Sequence, residues 1–63
     1  MNIKVINLDT GNTEIKDHRK LVKKLVEKNR VTREMRDYLF DHPHELLKKL
    51  NLTRFNNCKY QEV

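Results

Sequence analysis

The chain has little of what active sites and disulfide scaffolds are usually built from. Its 63 residues include one glycine, one proline, one cysteine and no tryptophan, and serine is absent. A single glycine cannot build a glycine-rich phosphate loop, and the absence of serine excludes a serine nucleophile. Cys58 lacks the local sequence of an activated thiol, and no two carboxylates have an evident catalytic spacing. The sequence therefore predicts a protein that is not an enzyme and has no cofactor.

The single cysteine and the lack of long apolar runs also bear on where the protein works. Cys58 alone cannot form an intramolecular disulfide, which fits a reducing compartment. No apolar run approaches the roughly 20 residues of a membrane span, and residues 1–5 lack the apolar region of a signal peptide. We therefore expect a cytoplasmic protein without a membrane partner.

The residues able to bind a metal ion are few and poorly spaced for that purpose. Structural zinc sites usually contain pairs such as Cys-x₂-Cys or His-x₃₋₅-His. Here the only close pair is His42 and His44, on either side of Pro43. We interpret His42 as a helix cap, His44 as a solvent-facing residue and His18 as a packed residue on an apolar helix face. No metal site is predicted.

The composition indicates one small folded domain with a marginal core. Charged residues make up 37% of the chain, and apolar residues another 37%. A chain of this size buries only about 60% of the surface that its unfolded form exposes. The apolar residues nevertheless recur with regular periods, which a disordered chain does not require. A core this small is often completed by association, so a homodimer is one expected form.

Secondary structure is predicted to begin with a β-hairpin over residues 2–16. The segment Ile3–Ile6 is rich in β-branched residues, and Thr13–Lys16 alternates apolar and polar residues. Gly11 lies between them and can adopt the left-handed conformation that a type I turn with a bulge requires.

Three helices are predicted next, over residues 17–29, 32–40 and 43–50. Asp17 and Thr32 are suitable N-caps, and Pro43 is suited to the first position of a new helix. The alternative is one kinked helix over residues 32–50. On the first helix, His18, Leu21, Val22, Leu25 and Val26 share one apolar face.

The tail, residues 52–62, is predicted to form either a hairpin about Asn56-Asn57 or a single strand that joins the N-terminal hairpin. The predicted fold class is therefore α+β: an N-terminal hairpin, two or three helices, and a C-terminal strand or hairpin. If the tail is a hairpin, the element order over residues 17–60 resembles that of a winged helix-turn-helix, a resemblance without a sequence motif behind it. It would imply DNA binding, with His44, Lys48, Lys49 and Asn51 on the recognition helix.

A basic segment, RKLVKKLVEKNRVTREMR at residues 19–36, carries the functional signal. It contains eight basic and two acidic side chains, a net charge of +6, whereas the whole chain has +5. Lys20, Lys24 and Lys28 follow one another at intervals of four residues, so they form a row of like charge on one helix face. A solvated face usually mixes signs, as the second helix does if Arg33 pairs with Asp37. Arg36 has no partner at that spacing.

The lead functional hypothesis is a small regulatory protein that binds DNA or RNA, mainly through phosphate contacts. The alternative is a small interaction module, such as a phage or mobile-element inhibitor or an adaptor, that docks on an acidic face of a larger protein. A bias towards lysine and asparagine, typical of AT-rich genomes, suggests the phage or mobile-element origin. The residues predicted to contact nucleic acid are Lys20, Lys23, Lys24, Lys28, Arg30, Arg36, Lys48 and Lys49.

Overall fold

The computed structural model describes all residues, 1–63, and has the predicted α+β fold. A three-stranded antiparallel sheet with strand order β2-β1-β3 has three helices on one face. No helix is both long and apolar enough to cross a membrane. The elements are β1 (Asn2–Asn7), β2 (Thr13–Asp17), α1 (His18–Glu27), α2 (Arg33–Asp41), α3 (Pro43–Thr53), a short 3₁₀ turn (Phe55–Asn57) and β3 (Cys58–Glu62).

The N-terminal hairpin is confirmed, and its turn depends on two residues. The Asn7 side-chain oxygen accepts hydrogen bonds from the N–H groups of Asp9 and Thr10, at 2.9 and 3.1 Å. Gly11 has a φ of +77° and donates its N–H to the Asn7 carbonyl at 2.8 Å. Glycine adopts this left-handed conformation without the steric cost that a Cβ atom adds.

Helix α1 is confirmed, with clear signals at both ends. The Asp17 carboxylate accepts the N–H of Arg19 at 2.8 Å, as an N-cap does. At the other end Asn29 has a φ of +56°, and the N–H of Arg30 reaches back to the Leu25 carbonyl at 2.8 Å. This is a Schellman-type ending, and it turns the chain away from the helix axis at Arg30.

Residues 32–50 form two helices, not one kinked helix. Pro43 occupies the first turn of α3, and His42 between the helices has non-helical angles, φ −129° and ψ 68°. The His42 ring stacks on Tyr38 at 4.1 Å, and its Nδ1 donates to the Tyr38 carbonyl at 2.8 Å. The proline lacks an N–H and disfavours a helical conformation at the preceding residue, which explains the break.

The tail forms a single strand, and the alternative prediction of a hairpin is wrong. Asn56 and Asn57 do have positive φ, 53° and 54°, but they close a 3₁₀ turn after α3. Residue Thr53, predicted in a strand, is the last residue of α3. Because β3 pairs with β1, no wing hairpin forms, and the resemblance to a winged helix-turn-helix loses its main support.

The core lies between the sheet and the helices. Ile3, Cys58 and Tyr60 from the sheet pack against the apolar faces of the helices. His18 is buried with them, as predicted: its Nδ1 lies 3.2 Å from the Met1 carbonyl and its Nε2 lies 3.0 Å from the Phe40 carbonyl. The other buried core residues are Leu21, Val22, Leu25, Leu39, Leu46, Leu50 and Phe55.

Candidate functional site

The lysines of α1, and Lys28 at its C-cap, lie on the side of the helix opposite the core face. Lys20, Lys23 and Lys28 are exposed and Lys24 is half-buried. None of them takes part in any of the four ion pairs of the molecule. The predicted row of uncompensated positive charge is therefore present in the structure.

A groove separates this row from strand β2. Its volume is about 780 Å³, and Lys20, Lys23 and Lys24 form the helical wall together with Glu27. The opposite wall is the strand segment 14–17, in which Lys16 and Glu14 form an ion pair at 3.4 Å. The groove therefore contains both signs of charge, with cations in excess on the helical wall.

A more enclosed cavity of about 270 Å³ adjoins the groove, and Lys16 and Lys24 line both. Buried side chains contributed by α1, the 3₁₀ turn and β3 lie at its apolar side. Burial raises the pKa of the Tyr60 hydroxyl above its ordinary value, and the neighbouring Cys58 thiol raises it further. That hydroxyl donates a hydrogen bond to the Phe55 carbonyl at 2.8 Å, so it has a structural role. The polar residues of the cavity are Asn7, Asn12, Glu14, Lys16, Lys24 and Asn56.

A second basic cluster lies at the far end of α1. Arg30, Lys49 and Arg54 line a cavity of about 190 Å³ together with Asn56. The Schellman-type ending of α1 positions Arg30 there, and Arg54 follows the last turn of α3 with a φ of +49°. Asn56 lines both this cavity and the one beside Lys24, so the two basic regions are adjacent.

The structure does not bring all the predicted residues to this surface. Arg36 lies on α2, where its Nε donates to the Asp37 carboxylate at 3.2 Å and its guanidinium lies 6.0 Å from the Phe40 ring centroid. The possible pair of Arg33 with Asp37 is not formed, and Asp37 pairs with Arg36 instead. Lys48 and Lys28 are exposed but line neither the groove nor the two cavities.

Two cations of this surface, Lys16 and Arg54, were not predicted. Lys16 directly follows Ile15 on β2, and adjacent residues of a strand lie on opposite faces of the sheet. Lys16 is therefore expected on the face opposite that of Ile15. Ile15 is the apolar residue of the two, yet it is 57% exposed on the open face of the sheet. Arg54 was assigned to a strand, and no sequence signal indicated that it would follow a longer α3.

The histidines and the cysteine do not form a common site. His44 is exposed and lies 3.3 Å from a Glu62 carboxylate oxygen, whereas His42 lies between α2 and α3 and bonds through its ring to the Tyr38 carbonyl of α2. Cys58 is buried, with its Sγ 3.4 Å from the Asn56 carbonyl. No three His, Cys, Asp or Glu side chains are arranged to hold a metal ion.

Known proteins offer no assignment for this surface. No family model, no curated protein and no solved structure matches the chain.

Proposed function

We propose that this protein is a small, non-enzymatic, cytoplasmic regulatory protein that binds nucleic acid mainly through phosphate contacts. The observation that carries the proposal is the α1 lysine row, which no acidic side chain neutralises within the molecule. Lys20 and Lys28 lie eight residues apart, so the row extends for about 12 Å along the helix. Like charges at this spacing slightly destabilise a helix, and an anionic ligand relieves that repulsion.

The second basic cluster extends the proposed contact region. Arg30, Lys49 and Arg54 lie beyond the end of α1 and next to the cavity that Lys24 lines. Arg36 is a weaker candidate than its sequence position suggested, because Asp37 already neutralises it. The region offers cations for phosphate but few side chains for reading base edges, so we expect weak sequence preference.

The salt dependence of binding tests this proposal. Four to six phosphate contacts to duplex DNA give a slope of roughly −4 to −5 for log K against log salt concentration. Replacing Lys20, Lys24 and Lys28 by glutamine removes three contacts and should make the slope shallower by roughly 3. Fluorescence anisotropy of a labelled duplex and a labelled single strand, each at several salt concentrations, measures both quantities.

A matched control removes the same charge from other surfaces. Lys4 and Lys59 lie on the open face of the sheet, and Lys48 lies on α3 away from the groove. Changing these three lysines to glutamine lowers the net charge equally and should leave the slope close to that of the wild type. Equal effects of the two triple variants, or a flat salt response of the wild type, would contradict a localised phosphate-binding surface.

A second candidate function is an inhibitor or adaptor, of the phage or mobile-element type, that binds an acidic face of a larger protein. The groove favours this candidate because it combines lysines with Glu14, Asp17 and Glu27. Such mixed charge suits a protein side-chain pattern better than a uniformly anionic backbone. A protein partner that stays bound after nuclease treatment, in a purified complex whose 260/280 nm absorbance ratio is that of protein alone, would support this candidate against the first.

A further inference from the structure

The two edges of the sheet differ in whether their backbone N–H and C=O groups have hydrogen-bond partners. At the β3 edge, the Asn51 side chain from α3 donates to the Tyr60 carbonyl and accepts the Tyr60 N–H, both at 2.8 Å. The amide thus occupies the backbone groups that a further strand would use. Covering an edge in this way is a common protection against unwanted strand pairing.

The β2 edge has no such cover. In an antiparallel pair, successive residues direct their N–H and C=O groups alternately towards and away from the partner strand. The hydrogen bonds from Asn7 to the Asn12 carbonyl and from His18 to the Met1 carbonyl fix this alternation at both ends of the hairpin. Glu14 and Lys16 therefore face β1, paired with Val5 and Ile3, and Ile15 directs its N–H and C=O outwards.

The side chains beside this edge restrict what can pair with it. Glu14 and Lys16 lie on the helix side of β2, where their charges disfavour the addition of an apolar strand. The opposite wall of the groove, formed by α1, carries three lysines and only one acid, Glu27. An added strand would direct every second side chain towards that wall, and negative charge at those positions complements it.

We propose that the β2 edge and the groove beside it bind an extended acidic segment of a partner protein, which adds to the sheet as a fourth strand. Backbone hydrogen bonds to Ile15 supply the alignment, and alternate acidic side chains contact Lys20, Lys23 and Lys24. This proposal does not rest on nucleic-acid binding, although the shared lysines would make the two ligands compete for the same surface.

A second copy of this chain fits the edge less well. Symmetric pairing of two β2 strands about Ile15 would place both α1 helices on the same face of one continuous sheet. The two lysine walls would then approach each other, and their repulsion would oppose the association. An acidic segment meets no such repulsion.

The experiment removes the backbone donor without removing the strand. The N–H of Ile15 points away from β1, so proline is tolerated at this edge position while it blocks strand addition. The matched control, Ile15→Thr, keeps the donor and the β-branched side chain. The probe is a fluorescent peptide of alternating glutamate and valine, titrated at low salt and followed by anisotropy. We expect Ile15→Pro to weaken binding by at least about tenfold, the effect of losing a well-formed hydrogen bond, and Ile15→Thr to bind as the wild type does.

Two further peptides separate strand addition from simple charge attraction. The same peptide with an N-methyl group on every residue keeps its charge but cannot pair as a strand at either edge, and a lysine–valine peptide reverses the charge. Both should fail to bind the wild-type protein. This comparison of peptides uses only the wild-type protein, so it tests the proposal even if Ile15→Pro does not fold.

Several outcomes would overturn the proposal. They are the absence of binding by the glutamate–valine peptide, equal binding of its N-methylated form, and unchanged binding by a folded Ile15→Pro variant. Concentration-dependent dimerisation that Ile15→Pro abolishes would assign the edge to a second copy instead. Ile15→Pro should leave the affinity for a DNA duplex unchanged, so failure of the peptide proposal and failure of nucleic-acid binding give different results.

Discussion

The clearest test of how the sheet is stabilised is the substitution Asn51→Ala. The Asn51 amide makes two hydrogen bonds of 2.8 Å to the backbone of Tyr60, and Tyr60 is itself only 3% exposed. Alanine removes both bonds and leaves the N–H and the carbonyl of Tyr60 without a partner at a partly buried edge.

The expected decrease in the free energy of unfolding follows from the loss of these two hydrogen bonds. Each hydrogen bond of this kind contributes a net 0.5–1.5 kcal/mol, so Asn51→Ala should lower the free energy of unfolding by about 2 kcal/mol. A change of 1 kcal/mol shifts the Tm of a domain of this size by roughly 4–8 °C, so the Tm should fall by roughly 8–16 °C. The domain is small, and this is a large part of the stability expected for it.

Urea denaturation followed by far-UV circular dichroism measures the free energy of unfolding, and a thermal scan measures the Tm. The control is Asn12→Ala, because the Asn12 side chain makes no hydrogen bond in the molecule and its loss should cost less than about 0.5 kcal/mol. If Asn51→Ala is as stable as Asn12→Ala, the amide does not stabilise β3. The uncovered edge should also make the Asn51→Ala variant associate at high concentration, which sedimentation velocity would detect.

Two further predictions concern the turns at the ends of β2. The hydrogen bond from the Arg19 N–H, together with electrostatic attraction to His18, to the N-terminal ammonium and to the Arg19 guanidinium, holds the pKa of the Asp17 carboxyl below its usual range. The ionised cap therefore adds stability above about pH 4, and this stability is lost as the pH falls through the lower, folded-state pKa. Asp17→Asn should make the free energy of unfolding less dependent on acid pH, which denaturation curves recorded from neutral to acidic pH measure. An unchanged dependence would contradict the role of the Asp17 carboxylate as the cap. At Gly11, φ is +77° and an added Cβ would meet no atom within 4 Å, so Gly11→Ala should cost about 1 kcal/mol through backbone conformation alone. Gly11→Asn should cost less because asparagine tolerates this conformation, and a thermal scan in which the alanine variant is the more stable would refute that cause.

Local signals in the sequence predicted most of the fold. Gly11 marked the hairpin, Asp17 and Thr32 marked two helix starts, and Pro43 marked the third. Each of these residues acts on its own backbone or on neighbours within a few positions, so its effect can be derived without knowledge of the rest of the chain.

The path of the tail could not be predicted in the same way. Asn56 and Asn57 favour positive φ both in a hairpin turn and in the 3₁₀ turn that forms. What decides between them is the pairing of β3 with β1 and the reach of Asn51 to Tyr60, which are contacts between distant parts of the chain. A single sequence does not contain that information in a local pattern.

The charged surface was predicted in part for the same reason. The α1 lysine row follows from helical periodicity alone, and the structure has it. Arg36 depends on its neighbour Asp37, and Arg54 depends on how far α3 continues, so their positions required the structure. The contribution of Lys16 likewise required knowing which face of β2 the helices cover.

The position of β1 in the middle of the sheet has a consequence for the order of folding. Its pairing with β2 closes a loop of a few residues, whereas its pairing with β3 joins Asn7 to Cys58 across all three helices. Closing the longer loop costs about 2 kcal/mol more in chain entropy. The hairpin and the helices therefore form at a lower cost in chain entropy, and we expect β3 to dock last. During synthesis, β1 would present an open edge of its own until β3 has been made.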